Sequence, residues 1–389
     1  MNTLKFGNGE WYGKKDTILA YNDLNSNFKP LAFNFERNTS ATVINKEGLI
    51  ETVGSGEPRI DYKDDSKGAL LLEPSRSNAI TYSSDFNNAS WLKTNLNITK
   101  DIETAPNGLL NASKILQTVS GGYARINTTL TGSETFSLFA KKGDLTDLKL
   151  FLGGDYAYFD LENGLVLFAS GSNYVNSKIE SFNNGWYRCS ITSSYSGGSS
   201  IRFQGTDGTN DNSLGFIYTY GAQLEQGSYA TSYIPTQGGV VTRVAESCNG
   251  AGNEQVFNDS EGVLYAEISA LANDLTYRSI SISGHINLFY NNVSNTIVVS
   301  STGGALIIKQ LSDITSLNKI ALKYKANDFA LWVNGVELGT DTSATTSNSL
   351  TTLNYDNGAG GSKWYGSTKQ IQYYNTALTY QELQALTTI

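Results

Sequence analysis

Few residues in this sequence could do chemistry, and most of them exclude more than they offer. There is one histidine, His285, in "SISGHINLF". A zinc site of several imidazoles is therefore impossible, and no Cys/His spacing of the zinc-finger kind occurs. A Ser-His-Asp triad would have to use His285, yet there is no G-x-S-x-G elbow and no acid close in sequence; His285 reads as the end of a surface hairpin. Carboxylate-only chemistry passes this filter, because glycoside hydrolysis needs just two acids. The candidate pairs are Glu261 with Glu267 and Asp155 with Asp160. Neither forms a tight cluster on one strand face, and both read as strand-end and turn residues. "GSGEPR" and "SGGSS" lack the Lys-Ser/Thr of a phosphate loop and read as turns. No catalytic residue, metal or cofactor is expected.

Binding is the better prospect. In "GGYARINTT", Ala124 and Ile126 alternate with Tyr123, Arg125 and Asn127; in "SIRFQG", Ile201 and Phe203 alternate with Arg202 and Gln204. Burying the aliphatic set leaves Tyr123, Arg125, Arg202 and Gln204 on the opposite faces. An aromatic face with planar donors is what a sugar ring requires: stacking for its C–H face, hydrogen bonds for its hydroxyls. The four residues form one patch if the two strands are neighbours. The same alternation also suits an ordinary solvated face, or one covered by a neighbouring subunit. Nearer the C-terminus, Phe329, Leu331 and Val333 share a strand face while Trp332 takes the other, and Trp364 and Tyr365 begin the last long strand. An exposed ring among Trp332, Trp364 and Tyr365 is a further stacking candidate. Trp91 and Trp186 read as core.

The elements that would position these residues are strands. Across 389 residues, apolar residues make up 39% and charged residues 16%, against a usual charged share of about 25%. With 38 glycines and only 5 prolines, the composition suits short strands joined by polar turns better than helices. Three blocks emerge: residues 1–76, of short strands and loops; 77–245, a run of strand-like segments at sandwich spacing; and 246–389, which repeats the rhythm. Asn334-Gly335 marks a two-residue hairpin turn. Thr379 and Glu382 have capping-box spacing, and Leu383 and Leu386 give an apolar stripe, so one short helix closes the chain. "GAQLEQGSYATSYIP", Gly221 to Pro235, reads as a closing strand and its exit turn, with Gln223 and Glu225 opposite Ala222 and Leu224.

Charge and hydropathy narrow the partners. The net charge is -8, from 36 acidic and 28 basic side chains, with no basic cluster longer than a pair, which argues against nucleic acid. Apolar runs such as "LVLFA" are far shorter than the roughly 20 residues of a membrane span. The N-terminal stretch has no apolar signal core. Cys189 and Cys248 are expected as two reduced thiols in a protein that assembles inside a cell.

Three long stretches, "FERNTSATVINKEGLIETVGSGEPRIDY", "GALLLEPSRSNAITYSSDFNNASWLKTN" and "GAQLEQGSYATSYIPTQGGVVTR", together resemble a family of bacteriophage virion proteins: tail-fibre, head-fibre and other appendages with lectin-like domains. The resemblance runs from about residue 33 to 245. It implies a jelly roll similar to carbohydrate-binding modules over Trp91 to Pro235. "IALKYKANDFALWVNGVELG" and "KWYGSTKQIQYYNTALTYQELQAL" resemble the laminin-G/concanavalin-A-like sandwich. Some enzymes of that superfamily carry an E-x-D-x-x-E strand, which is absent here, and no acidic loop has a convincing calcium-ligand set.

The expectation is an all-β protein of two consecutive antiparallel sandwiches after a small N-terminal attachment or oligomerisation region. By the resemblance it is a non-catalytic fibre-like appendage on the phage particle, assembled in the host cytoplasm. Its expected partners are other virion proteins, further copies of itself (a trimer above all) and a host surface glycan. The alternatives are a decoration or adaptor protein without a ligand, and a polysaccharide-degrading glycosidase.

Overall fold

The computed structural model describes residues 2–22, 27–346 and 348–389. As the composition requires, the architecture is all-β, with antiparallel ladders throughout and one short helix, Tyr380–Thr387. The chain divides into two compact units. Residues 41–52 and 75–243 make one; residues 1–40, 53–74 and 244–389 make the other.

The unit formed by 41–52 and 75–243 is a sandwich of two six-stranded sheets. The first sheet runs in the order Leu92–Thr94, Tyr123–Thr131, Ser196–Thr206, Asp147–Leu152, Asp155–Asp160, Leu165–Ser170. The second runs Leu96–Thr104, Leu110–Gln117, Gly215–Gln226, Glu134–Lys142, Trp186–Ser193, Tyr174–Ser181. Period-2 alternation builds the core between them. Ala124, Leu148, Leu150, Phe159, Ile201 and Phe203 come from the first sheet, and Ile115, Phe136, Leu138, Ile191 and Ile217 from the second. Trp91 is fully buried beside Phe86 and Phe203, with its indole N–H on the Tyr82 carbonyl at 3.0 Å. Trp186 is likewise buried, donating to the Thr104 carbonyl at 2.9 Å.

The two sheets differ on their outer sides. The second is covered there too: Phe139, Trp186 and Tyr220 pack with Ile44 and Ile50 of a two-stranded hairpin and with Tyr233. No comparable apolar cluster lies over the outer side of the first sheet among the described residues, which leaves that face open.

The other unit stacks an eight-stranded sheet on a five-stranded one around a core that includes Leu264, Ile320, Leu322 and Ile371 from the former and Ile280, Leu288 and Val299 from the latter. The first block of the sequence does not stand apart. Asn2–Gly7 and Ala69–Leu72 both pair with Gly366–Tyr374, and Asn27–Glu36 pairs with Ser247–Asn249. Residues 41–52 belong to the other unit instead. The reason is edge satisfaction: the last long strand offers backbone donors and acceptors that only the N-terminal strands fill.

Local signals held where turn and cap chemistry dictated them. Asn334 (φ 51°) and Gly335 (φ 84°) join Phe329–Val333 to Val336–Asp341, both in the left-handed region that a tight hairpin demands. At the helix start, the Thr379 hydroxyl accepts from the Glu382 N–H while the Glu382 carboxylate accepts from the Thr379 N–H at 2.8 Å.

Candidate functional site

Tyr123, Arg125, Arg202 and Gln204 lie together on the open face of the first sheet. The strands Tyr123–Thr131 and Ser196–Thr206 are neighbours, and their register sets Arg125 directly opposite Arg202. The row continues across Phe151 to Tyr156, because Arg202 pairs with Phe151 and Phe151 with Tyr156. A second row runs from Gln204 to Lys149 and on to Tyr158. The same alternation that buries Leu148, Leu150 and Leu152 turns Lys149 and Phe151 outward.

Arg202 is held by rings. Its guanidinium carbon lies 3.8 Å from the centre of the Phe151 ring and 5.3 Å from that of Tyr123. Lys149 sits against Tyr156 and Tyr158, its Nζ 4.7 and 4.8 Å from their ring centres. Tyr156 and Tyr158 meet edge to face at 5.8 Å, and Phe168 extends the aromatic floor 6.1 Å beyond Tyr156.

One acid enters from outside the sheet. Asp211 accepts from Lys149 Nζ at 2.5 Å and from the Tyr158 hydroxyl at 2.8 Å, and its backbone carbonyl accepts from Gln204 Nε2 at 3.4 Å. Its loop is self-supporting: Ser213 Oγ donates to the Asn210 carbonyl, and the Gly208 N–H donates to Asp147. Burial works against the Lys149 ammonium, but the hydrogen bonds to Asp211 and Tyr158 outweigh it and raise its pKa. Lys149 is thus a fixed cation. Burial chiefly raises the Tyr158 phenol, so it remains a neutral donor.

Lys149, Phe151, Tyr156, Arg202, Gln204 and Asp211 line a hollow of about 260 Å³. Gly154, in the left-handed region (φ 109°), forms part of its rim, and a Cβ there would meet nothing within 4 Å. A larger hollow of about 370 Å³ in the same unit, lined by Arg76, Thr128, Thr131, Glu134 and Glu225, presents hydroxyls and carboxylates without a ring face. Its Glu225 is already engaged by Thr231, whose N–H donates at 2.9 Å.

Two of the C-terminal candidates are corrected. Trp332 and Trp364 are each only 1% exposed, so neither offers an indole face to a ligand. Trp332 is covered because the C-terminal helix packs on its side of the sheet, with Tyr380 edge to face at 4.5 Å and Leu383 beside it. Trp364 is enclosed with Tyr290, ring centres 5.4 Å apart. Tyr365 is half-buried and precedes the strand Gly366–Tyr374 rather than beginning it.

Neither acid pair has the close, unengaged arrangement of paired glycosidase carboxyls. Glu261 and Glu267 are six residues apart on one strand, on the order of 20 Å at about 3.3 Å per residue. Paired glycosidase carboxyls stand roughly 5–9.5 Å apart. Asp155 is buried and accepts from the Asn173 N–H and the Ser193 hydroxyl, while Asp160 caps a turn through Glu162 and Asn163. Burial raises the Asp160 carboxyl, but hydrogen bonds from Asn163 and Glu162 outweigh it and leave it below the usual carboxylate range. His285 lies in the hairpin turn between Arg278–Ile282 and Ile286–Tyr290, hydrogen-bonded to Thr302 at 3.1 Å. No cluster of three or more potential metal ligands occurs among the described residues. Cys189 and Cys248 are free and buried, and burial pushes both thiols up.

The stretch from Gly221 to Pro235 is a clamp. The polar side of its strand is not solvated: Gln223 and Glu225 are buried, Gln223 Oε1 accepts from the Ile234 N–H at 2.6 Å, and Glu225 accepts from the Thr231 N–H and hydroxyl. The exit segment folds back over the strand and satisfies it.

No family model and no curated protein matches this sequence. Among solved structures, the chain is similar to the CBM40 module of the Ruminococcus gnavus IT-sialidase bound to α2,3-sialyllactose (17% identity, 35% of this chain and 86% of that one, TM-score 0.30). It is similar to domain 4 of a GH43 extracellular arabinanase from Geobacillus stearothermophilus in complex with arabinotriose (10% identity, 42% and 82%, TM-score 0.30). Mouse laminin α1 chain domains LG4–5 give 11% identity over 78% and 94%, with a TM-score of 0.22. Likenesses this slight leave the chain's function to its own geometry.

Proposed function

We propose that this chain is a non-catalytic glycan-binding protein, and that it serves as a fibre-like appendage on a bacteriophage particle. The observation that bears most weight is the open sheet face on which Arg202 is stacked on Phe151 and Tyr123 beside Lys149, Tyr156 and Gln204. Flat ring faces next to fixed planar donors fit a pyranose, whose two sides are C–H surface and hydroxyl edge. The wide spacing of Glu261 and Glu267 and the turn role of Asp160 favour binding over hydrolysis. The appendage reading draws on the three phage-like stretches. It also draws on the edge strand Leu165–Ser170, where Leu165, Val166, Leu167 and Phe168 are 56, 39, 43 and 48% exposed. An apolar sheet edge of that kind suits contact with another copy of the chain, and repeated weak sites then act together.

The test is a glycan array and whole-cell binding with the wild type and a Tyr123→Ala/Arg202→Ala double variant, alongside solution mass. Binding that disappears in the variant, from an oligomeric wild type, is the expected result. A folded wild type that labels neither glycans nor cells would overturn the reading in favour of a decoration or adaptor protein. Release of reducing sugar from a bound polysaccharide would restore the hydrolase.

A further inference from the structure

The chain has eight arginines. Six are engaged: Arg37 and Arg59 with Glu246, Arg76 with Glu225, Arg188 with Ser137 and Thr231, Arg243 with Ser232, and Arg278 with Asp274. Arg125 and Arg202 stand outside this pattern. Neither guanidinium has a hydrogen-bond or ion-pair partner among the described residues. They are also directly opposite each other across the ladder, an arrangement in which like charges repel. The acid that lines the same hollow as Arg202, Asp211, is already held by Lys149 and Tyr158.

We infer that the site takes an anionic saccharide, a glycan bearing a carboxylate that docks between Arg125 and Arg202. This rests on the glycan-binding reading and deepens it. Phe151 and Tyr123 hold the Arg202 guanidinium against their rings, while its terminal N–H groups have no hydrogen-bond partner among the described residues. A planar fork with an unused edge matches a carboxylate in bidentate fashion. A second cation opposite doubles the attraction and finds its missing counter-charge in the same group. Gln204 and Tyr156 remain for the sugar's hydroxyls and C–H face. The net charge of -8 means that no general pull on polyanions is available, so recognition of the acid is local to this pair.

The experiment is an array carrying neutral, uronate-bearing, sialylated and phosphorylated glycans, with (dT)12 as a separate arm, probed with the intact chain and its variants. The strongest carboxylate-bearing hit is then titrated against its methyl ester. Carboxylate-bearing glycans are expected to bind at least ten-fold tighter than the ester, and added salt should weaken them. Arg125→Gln and Arg202→Gln should each bring the acid down to the ester's level, and Arg202→Lys should recover only part. Tyr156→Ala should weaken acid and ester alike. Equal binding of neutral and acidic glycans, unchanged in the arginine variants, overturns the anionic inference and leaves glycan binding standing. Phosphorylated glycans binding alone would also overturn it. Retention of (dT)12 without any glycan would remove both readings.

Discussion

Arg37 and Arg59, like Arg125 and Arg202, form a close set, but the two sets are treated in opposite ways. Arg37 and Arg59 are buried, about 1% exposed or less, and both bind Glu246, Arg37 at 2.8 Å; Arg59 also binds Glu73 at 2.7 Å. Glu246 closes the cluster by accepting from the Glu73 N–H at 2.8 Å. Sealing a guanidinium from water is costly unless carboxylates replace the lost solvation, and here they do. Arg125 and Arg202 are half-buried, face an open surface, and have rings in place of carboxylates. The first set holds segments distant in sequence together within one unit. The second has no carboxylate partner among the described residues.

That contrast can be broken, and the largest effect is expected at Glu246. Glu246→Gln leaves two buried guanidinium groups without their shared carboxylate, a loss of about 3–5 kcal/mol by the usual cost of breaking a buried pair. Denaturant unfolding would show an early transition; a midpoint equal to the wild type would mean that these charges are not structural. Arg202→Ala tests the other half. It should change stability by less than about 1 kcal/mol, or raise it by relieving the repulsion with Arg125, while glycan affinity falls at least ten-fold, about 1.4 kcal/mol. A loss of several kcal/mol in stability would place Arg202 with the structural arginines and collapse the comparison.

Phe151→Leu sharpens the role of stacking. It keeps apolar volume but removes the ring that fixes Arg202, so glycan affinity should drop roughly three- to ten-fold, in line with about 1 kcal/mol for a cation–ring contact, with folding little changed. Affinity unaffected by Phe151→Leu would mean that the guanidinium is not held by the ring. The smallest effect concerns Lys149 and Asp211. Because the Lys149 pKa is raised above its ordinary 10.5 in the folded chain, the contact contributes fully below that value and is lost as pH rises through the folded-state value. Asp211→Asn should therefore cost the same small amount at pH 7 and pH 9, under about 1 kcal/mol, and nothing at strongly alkaline pH. A cost that instead vanished near neutrality would show that Lys149 is not the cation involved.

About half of the candidate face was legible in advance. Tyr123, Arg125, Arg202 and Gln204 follow from alternation alone, since a strand with one aliphatic side must turn its other residues outward. The same reasoning applied to "DLKLFLGGDYAYFDL" would have raised Lys149, Phe151, Tyr156 and Tyr158. Their signal was masked by the acids in the same stretch, which invite a catalytic reading. Asp211 had no periodic signature, because it sits in a loop whose position comes from side-chain-to-backbone hydrogen bonds. Trp332 and Trp364 misled for the converse reason: a large ring on the far side of a strand is exposed only if nothing packs there.

The sequence by itself determined the elements whose causes are local. Alternating faces made the strands, Asn334-Gly335 made its hairpin because both positions accept positive φ, and Thr379 with Glu382 started the helix by satisfying each other's backbone N–H groups. Tertiary structure alone decided which strands are neighbours, and so which side chains share a face. Strand pairing is written in backbone hydrogen bonds that every residue can make. Nothing in the local sequence therefore says that Gly366–Tyr374 takes Asn2–Gly7 and Ala69–Leu72 as partners, or that Arg125 faces Arg202. The charge left uncompensated by that last pairing exists only once the sheet has formed.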